Sequence, residues 1–306
     1  METTSTASPQ ETPLVSVCVC TYNQEHYIAD CLESIVTQET TFPYEVIVGD
    51  DASTDRTSEI VADYARRYPD RIVNIRYPAN IGPFKNYVET HNRARGRFIA
   101  HIDGDDLMRP GKLQAQADFL MQNPEFSVTW HRMDVFNDSG SMSPGSRQDL
   151  SAFEDGVVHL DEAVALGCVG IHSSCMYRET ARKTRVAERQ CLDTFMAWEF
   201  LSSGLGKILP QTLGGYRMNS STSMRRQIDT RQLSIADARE FLRRRPDQRA
   251  NVQVFAACNV LIDLKNRRPT AKVWARLALD CKTVPNPLRL ARVLVDGRKF
   301  VMPKLD

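Results

Sequence analysis

Four times in the first part of the chain, an apolar run gives way to a polar loop and then to apolar residues spaced three and four apart. The runs are Leu14 to Cys20, Tyr44 to Val48, Ile72 to Arg76 and Arg97 to Ile102. Continuous and rich in β-branched residues, they predict strands buried on both faces of a parallel sheet. The spaced stripes predict a helix after each strand: Ile28, Leu32, Ile35 and Val36; Ile60, Val61, Tyr64 and Ala65; Phe84, Tyr87, Val88 and His91; Lys112, Leu113, Ala117 and Leu120. Ser53 or Asp55 suits the cap of the second helix, and Pro110 the first turn of the fourth. Strand, loop and helix in repetition imply right-handed crossovers, hence a doubly wound, mainly parallel α/β sheet with helices on both sides. Such a sheet gathers its strands' carboxyl ends on one edge, where ligands bind. Thr21, Asp51, Asn80 and Asp103 stand at those ends and are predicted to line one crevice.

Past the strand expected at Phe126 to His131 the pattern loosens. Asn137 to Ser151, rich in Ser, Gly and Asp, reads as a mobile loop. A short helix is expected at Leu160 to Leu166, a strand at Cys175 to Tyr177, a helix at Cys191 to Leu201, and extended chain from Lys207 through Tyr216-Arg217. From Ser234 onward the periodicity is helical. The chain is thus divided into a flexible lead-in (1–13), an α/β unit (14–229, in halves 14–131 and 132–229) and a helical C-terminal extension (230–306).

Composition narrows the chemistry. The 306 residues carry a net charge of +1, which gives no global argument for nucleic acid. Eight cysteines include several on apolar patterns (Cys18, Cys20, Cys31, Cys258) and form no CxxC pair, which argues for buried small hydrophobes in a reducing compartment and against a structural zinc site. Neither a signal peptide nor an apolar run of spanning length is present, so a cytoplasmic protein is expected, touching a membrane only from the side. The polar feature that stands out is Ile102-Asp103-Gly104-Asp105-Asp106-Leu107. Carboxylates this close raise one another's pKa unless a cation compensates them, and the glycine lets the backbone turn sharply against a ligand. An EF-hand is excluded, because Leu107 and Met108 fall where oxygen ligands and glycine are needed. Asp106 is equally suited to capping the next helix.

VSVCVCTYN at the first strand, EVIVGDDASTDRT at the second, NIGPFKN after the third and GRFIAHIDGDDLMRPGKL around the acids together resemble family 2 glycosyltransferases of the GT-A type. LDTFMAWEFLSSG, GKIL and LGGYR extend the resemblance to about Leu14 to Ser223. The resemblance implies an inverting transfer of a sugar from a UDP- or dTDP-type donor to a hydroxyl of a glycan or lipid-linked acceptor, with Mn or Mg as cofactor. It implies that Asp51 meets the donor's base with Thr21, Tyr22 and Asn23 beside it, while Asp50 supports the loop. Asn80 and Lys85 would lie near the diphosphate, Asp103 and Gly104 near the ribose, and Asp105, with Asp103, would ligate the metal in a DXD motif. Asp193 would be the general base, with Glu199 the alternative. Two positions depart from the pattern: Leu192 precedes Asp193 where many relatives carry a second acid, and Asn219 ends Tyr216-Arg217-Met218-Asn219 where a histidine is usual. A catalytically inactive donor-binding module and an aspartyl phosphotransferase built on Asp103 and Asp105 are the competing readings. Pro287 to Lys299 suits either a helix with a solvated basic face or a peripheral membrane contact, and the helical tail suits a homodimer.

Overall fold

The computed structural model describes residues 12–139, 153–167, 169–182, 189–218, 229–283 and 287–296. Asn219, the lead-in up to residue 11 and the basic residues after Asp296 lie outside them, as does most of the expected loop at 137–151. The alternation read from the sequence is realised as β1 (Val15–Thr21), α1 (Ile28–Val36), β2 (Tyr44–Asp50), α2 (Thr57–Arg67), β3 (Ile72–Arg76), α3 (Pro83–His91) and β4 (Phe98–Asp103). β1, flanked by β2 and β4, and β2, flanked by β3, pair in parallel, with Cys20 opposite both Gly49 and Asp103. Six of the seven residues of β1 and all seven of β2 are buried, as expected of strands covered on both faces.

The remainder of the sheet is less regular. After the acids comes a short strand, β5 (Leu107–Met108), before α4 (Lys112–Gln122). The helix opens after Gly111 in a left-handed conformation (φ 82°), so Pro110 lies ahead of the first turn rather than in it. The strand expected to end at His131 runs on as β6 (Phe126–Phe136), followed by β7 (Val157–Val158), α5 (Leu160–Leu166), β8 (Met176–Arg178), α6 (Asp193–Leu201) and β9 (Leu205–Arg217). The sheet order is β3-β2-β1-β4-β8-β6-β9-β5, with β7 beside β9. β8 is antiparallel to both β4 and β6, whereas β6 and β9 pair in parallel through irregular register.

The C-terminal region is helical: α7 (Thr230–Arg244), α8 (Arg249–Lys265), α9 (Ala271–Asp280) and α10 (Pro287–Asp296). Its apolar faces join one buried cluster with α6: Trp198 packs against Phe241 and Phe255, and Phe255 against Trp274, with ring centroids 5.1 to 5.5 Å apart. The Trp198 indole N–H donates to the Ala163 carbonyl (3.1 Å), which satisfies a polar group that burial would otherwise leave stranded. α10 is held more lightly, with Val293 buried while Leu288 and Val295 stay exposed.

Candidate active site

The loops that follow β1, β2 and β3 are tied to one another at the carboxyl edge. Asn23, whose left-handed backbone (φ 52°) an asparagine tolerates, donates its N–H to Ser53 Oγ (2.9 Å) and accepts the Thr54 N–H at its side-chain oxygen (2.8 Å). Gln24 donates its N–H to Thr57 Oγ1 (2.8 Å) and Glu25 donates to Asp55 (3.1 Å). Asp55 also accepts the Thr57 N–H at the start of α2 (2.9 Å), but the residue at the cap position is Arg56, so neither Ser53 nor Asp55 caps the helix as expected. Asp50 is fully buried and accepts from Ser53 and Ser58, the loop-supporting part expected of it. Asp51, 2% exposed, accepts the N–H of Ile81 (2.7 Å) and of Gly82 (3.0 Å), one on each oxygen. Asn80 adds a bond to the Asp51 carbonyl (3.2 Å). Burial raises the Asp51 pKa, partly offset by the two amides. Thr21 is buried and donates to Gln24 Oε1 (2.7 Å); Tyr22 is half-buried, and Lys85 stands exposed on α3.

The acids follow directly from β4. Gly104 lies against Thr21 and Gln24 so closely that an added Cβ would stand 2.5 Å from Gln24 Oε1 and 2.9 Å from the Thr21 Cβ. Only glycine lets the turn sit there. Asp103 keeps its side chain 47% exposed and accepts from His101 Nε2 (3.2 Å), while Asp105 is half-buried. Asp106 does not cap α4. It is buried, and one oxygen accepts the Arg217 N–H at the end of β9 (2.8 Å) while the other has no hydrogen-bond partner among the described residues. Burial, then the charges of Asp105 and Asp103, push its pKa well up. A short β5 paired with β9 explains the difference: it carries Asp106 toward Arg217 instead of toward a helix start. An all-oxygen carboxylate set, partly open to solvent and electrostatically overloaded, fits a hard divalent cation.

Two cationic residues, Lys112 and Arg217, brace this turn. Lys112 was counted in the apolar stripe of α4, and it is indeed buried, its ammonium donating to the Ser173 carbonyl (2.7 Å). Burial lowers its pKa to about 8. Ser173 in turn accepts the Asp103 N–H (3.1 Å). Arg217 donates to the Asp105 carbonyl (3.0 Å) and to Asp138 (3.2 Å), and lies over the rings of Tyr27 and Phe136 at 4.4 and 4.6 Å. A lysine on an apolar stripe was the signal for the first; the second depends on a strand pairing that no local pattern announces.

Asp193 is the first residue of α6, exposed, and accepts its neighbour Thr194's N–H (2.8 Å). With His172, Cys175, Trp130 and Phe200 it lines a small cavity of about 30 Å³. The His172 ring lies 4.1 Å from that of His101, the partner of Asp103; burial and His101 lower the His172 pKa to about 4, and the charges of Asp193 and Asp103 oppose the shift. Glu199 instead faces Arg244 on α7 at 3.7 Å. The segment ahead of Asp193 is clamped from the helical region, because buried Asp237 accepts from Arg189 (2.7 Å) and from the Leu192 N–H (2.9 Å). A wider cleft of about 630 Å³, lined by Glu125, Asp161, Glu162, Arg245 and Arg289 among others, contains none of the acid cluster.

The profile of Glycosyl transferase family 2 matches residues 16–183. The putative glycosyltransferase EpsE of Bacillus subtilis is 36% identical over 174 residues, which is 56% of this chain and 59% of EpsE. The chain spans about 59% of the length of the curated relatives it matches first. Among solved structures, Staphylococcus aureus TarS 1–349 in complex with UDP-GlcNAc superposes with a TM-score of 0.63 at 23% identity, covering 79% of this chain and 71% of that one. The mannosyltransferase PcManGT of Pyrobaculum calidifontis in complex with GDP-Man and Mn2+ gives 0.59 at 18% identity, covering 94% and 86%. These likenesses show the fold. With over half its length matched by the family profile, the chain belongs to glycosyltransferase family 2 and has the GT-A fold.

Proposed function

We propose that the chain is a metal-assisted, inverting glycosyltransferase that moves a sugar from a UDP- or dTDP-type donor to a hydroxyl acceptor. The observation that carries this reading is an exposed carboxylate at the head of α6 that shares a small cavity with His172, whose ring lies 4.1 Å from that of His101, the hydrogen-bond partner of Asp103 in the turn after β4. The tied loops after β1 to β3 form a pre-set cradle, which lowers the ordering needed on donor binding. In it Asp51, with lone pairs left beyond its two backbone contacts, meets the base beside Thr21, Tyr22 and Asn23. Asp103 and Gly104 take the ribose, and Asn80 and Lys85 face the diphosphate. Asp105 and Asp103 would hold a Mn or Mg ion, which supplies charge stabilisation for the departing diphosphate. Asp193 takes the proton of the acceptor hydroxyl as its oxygen bonds to the anomeric carbon. The bond from that carbon to the diphosphate oxygen breaks on the opposite face, its electron pair leaving with the nucleotide. UDP-GlcNAc in the TarS complex supports a UDP-type donor, while GDP-Man with Mn2+ in the PcManGT complex supports a nucleoside-diphosphate sugar more broadly and the cation.

Similarity to EpsE and to the teichuronic acid biosynthesis enzyme TuaG of the same bacterium supports a place in surface polysaccharide or lipid-linked glycan assembly. No helix among the described residues is long and apolar enough to cross a membrane. α10, with exposed Leu288 and Val295 beside Arg289 and Arg292, is the surface suited to a peripheral contact at the inner face. A thermal-shift panel of nucleotide sugars with and without Mn2+ tests the reading: the matching donor raises Tm only with the cation present. If no nucleoside diphosphate sugar shifts Tm in Mn2+, the proposal fails at its base.

A further inference from the structure

Behind the acid turn, on the sheet face covered by α3, a second group of ligand-type side chains converges. Cys18, Cys20, His101 and Asp103 occupy alternate positions of the neighbouring strands β1 and β4, so their side chains share that face. His91 approaches from the last turn of α3. The Cys20 sulfur and one ring nitrogen each of His91 and His101 lie within 4.8 Å of one another. His91 and His101 are 0% and 1% exposed. Each ring spends one nitrogen on an outer partner: His91 Nδ1 on the Tyr87 carbonyl (2.8 Å) and His101 Nε2 on the Asp103 carboxylate (3.2 Å). Those two acceptors fix the N–H on the bonded nitrogen and leave His91 Nε2 and His101 Nδ1 as lone pairs. Both of those nitrogens are buried, with no hydrogen-bond partner among the described residues. A bare, desolvated nitrogen is costly for a merely structural histidine. Two such rings gathered with a thiol, each oriented by a carbonyl or a carboxylate, make the arrangement that metal-binding histidines adopt.

We infer that Cys20, His91 and His101 form a buried site for one zinc-class transition-metal ion, separate from the carboxylate site, which fastens β1, α3 and β4 together and orients Asp103 through His101. Mixed sulfur and imidazole ligands select such an ion over Mg or Mn. Binding displaces the Cys20 thiol proton to solvent as the sulfur–metal bond forms, while both imidazoles bind neutral. The absence of a CxxC pair argued against zinc, but spacing rules detect only ligands close in sequence, and these come from three separate elements.

The test is metal content and spectroscopy on the full chain without donor, so its outcome is independent of the glycosyl-transfer reading. Protein purified from zinc-supplemented cells and dialysed should retain about one Zn2+ per chain. The apoprotein titrated with Co2+ should show a thiolate-to-cobalt charge-transfer band that saturates at one equivalent. Cys20→Ser, an isosteric change at a partly exposed position, removes the band, and His91→Gln removes stoichiometric zinc. Asp103→Asn weakens Co2+ binding by about 10- to 100-fold through His101. Asp105→Asn leaves zinc content unchanged. Substoichiometric zinc with no cobalt band in the wild type overturns the inference, as does a band that survives Cys20→Ser. Should His91→Gln fail to fold, Cys20→Ser decides the matter alone.

Discussion

The two sides of the crevice are held in place by different means. On the β1 to β4 side, the loops carrying Thr21, Asp51 and Asn80 are locked by short side-chain to backbone hydrogen bonds running from Asn23 and Gln24 to Ser53, Thr54 and Thr57, and from Asp51 to Ile81 and Gly82. On the other side, Asp193 bonds only to its neighbour's N–H among the contacts described for it, and its place is set from a distance. α6 leans on the aromatic chain of Phe241, Phe255 and Trp274, and Asp237 clamps the approach to the helix. The proposed donor cradle, built from polar bonds between its loops, is rigid by itself. The proposed base, carried on a packed helix, is only as well placed as residues 230–280 make it.

If that division is right, substitutions on the two sides should separate donor binding from turnover. The largest effect belongs to the acid turn. Asp105→Asn should abolish the Mn2+-dependent Tm shift by donor and lower transfer by about 10³-fold or more, since it removes charge stabilisation of several kcal/mol. A retained cation-dependent shift would move the metal away from this residue. Asp193→Ala should reduce kcat by about 10²- to 10⁴-fold while leaving the donor-induced shift intact. Full activity would pass the base role elsewhere, and a donor-binding loss would place Asp193 on the cradle side. Phe241→Ala should destabilise the fold by about 3–5 kcal/mol in urea unfolding, because it empties a site touching Phe195 and Trp198. In the fraction that stays folded, turnover should fall more than donor affinity.

The same division explains what could be read from the chain alone. β1 to β4 and their helices were legible because each strand is a continuous apolar run and each loop is written in turn-forming polar residues such as Asn23, Ser53 and Asp55, although the bonds from Asn23 to Ser53 and Thr54 join separate loops. The strand from Phe126 was read five residues short, since past His131 the partner that keeps it extended, β9, lies some eighty positions away. For the same reason Asp106 looked like a cap. Its true partner, Arg217, is 111 residues distant, and only a two-residue strand brings them together. Lys112 stands near the end of the motif around the acids and His172 in no motif; burial gives both their weight.

A smaller test probes the cradle by itself. Asn23→Ala removes the acceptor for the Thr54 N–H and places a Cβ residue without a local hydrogen bond in the left-handed region, which together should cost about 1–2 kcal/mol. The loss should appear as weaker donor binding with kcat unchanged at saturation. A change in kcat with donor affinity preserved would mean that the cradle and the base are coupled more tightly than their separate supports suggest.

His172 is where such coupling would pass, because its ring lies 4.1 Å from that of His101 and 5.3 Å from that of Tyr87 on one side, and it senses Asp193 on the other. Its native pKa of about 4 lies below the ordinary 6.5, owing to burial and to His101, against the pull of Asp193 and Asp103. The unfolded chain therefore holds a proton that the native state lacks between those values, so this residue's contribution is complete above pH 6.5 and is lost as pH falls toward 4. His172→Gln should leave Tm little changed at pH 7.5 and should make it fall less steeply than in the wild type between pH 6.5 and 5, by at most about 1.4 kcal/mol per pH unit. His91 and His101 stay depressed in the variant, so acid sensitivity is reduced rather than abolished. Parallel acid profiles for the two proteins would mean that His172 is hydrated in solution, and that the two sides of the crevice meet through the substrate alone.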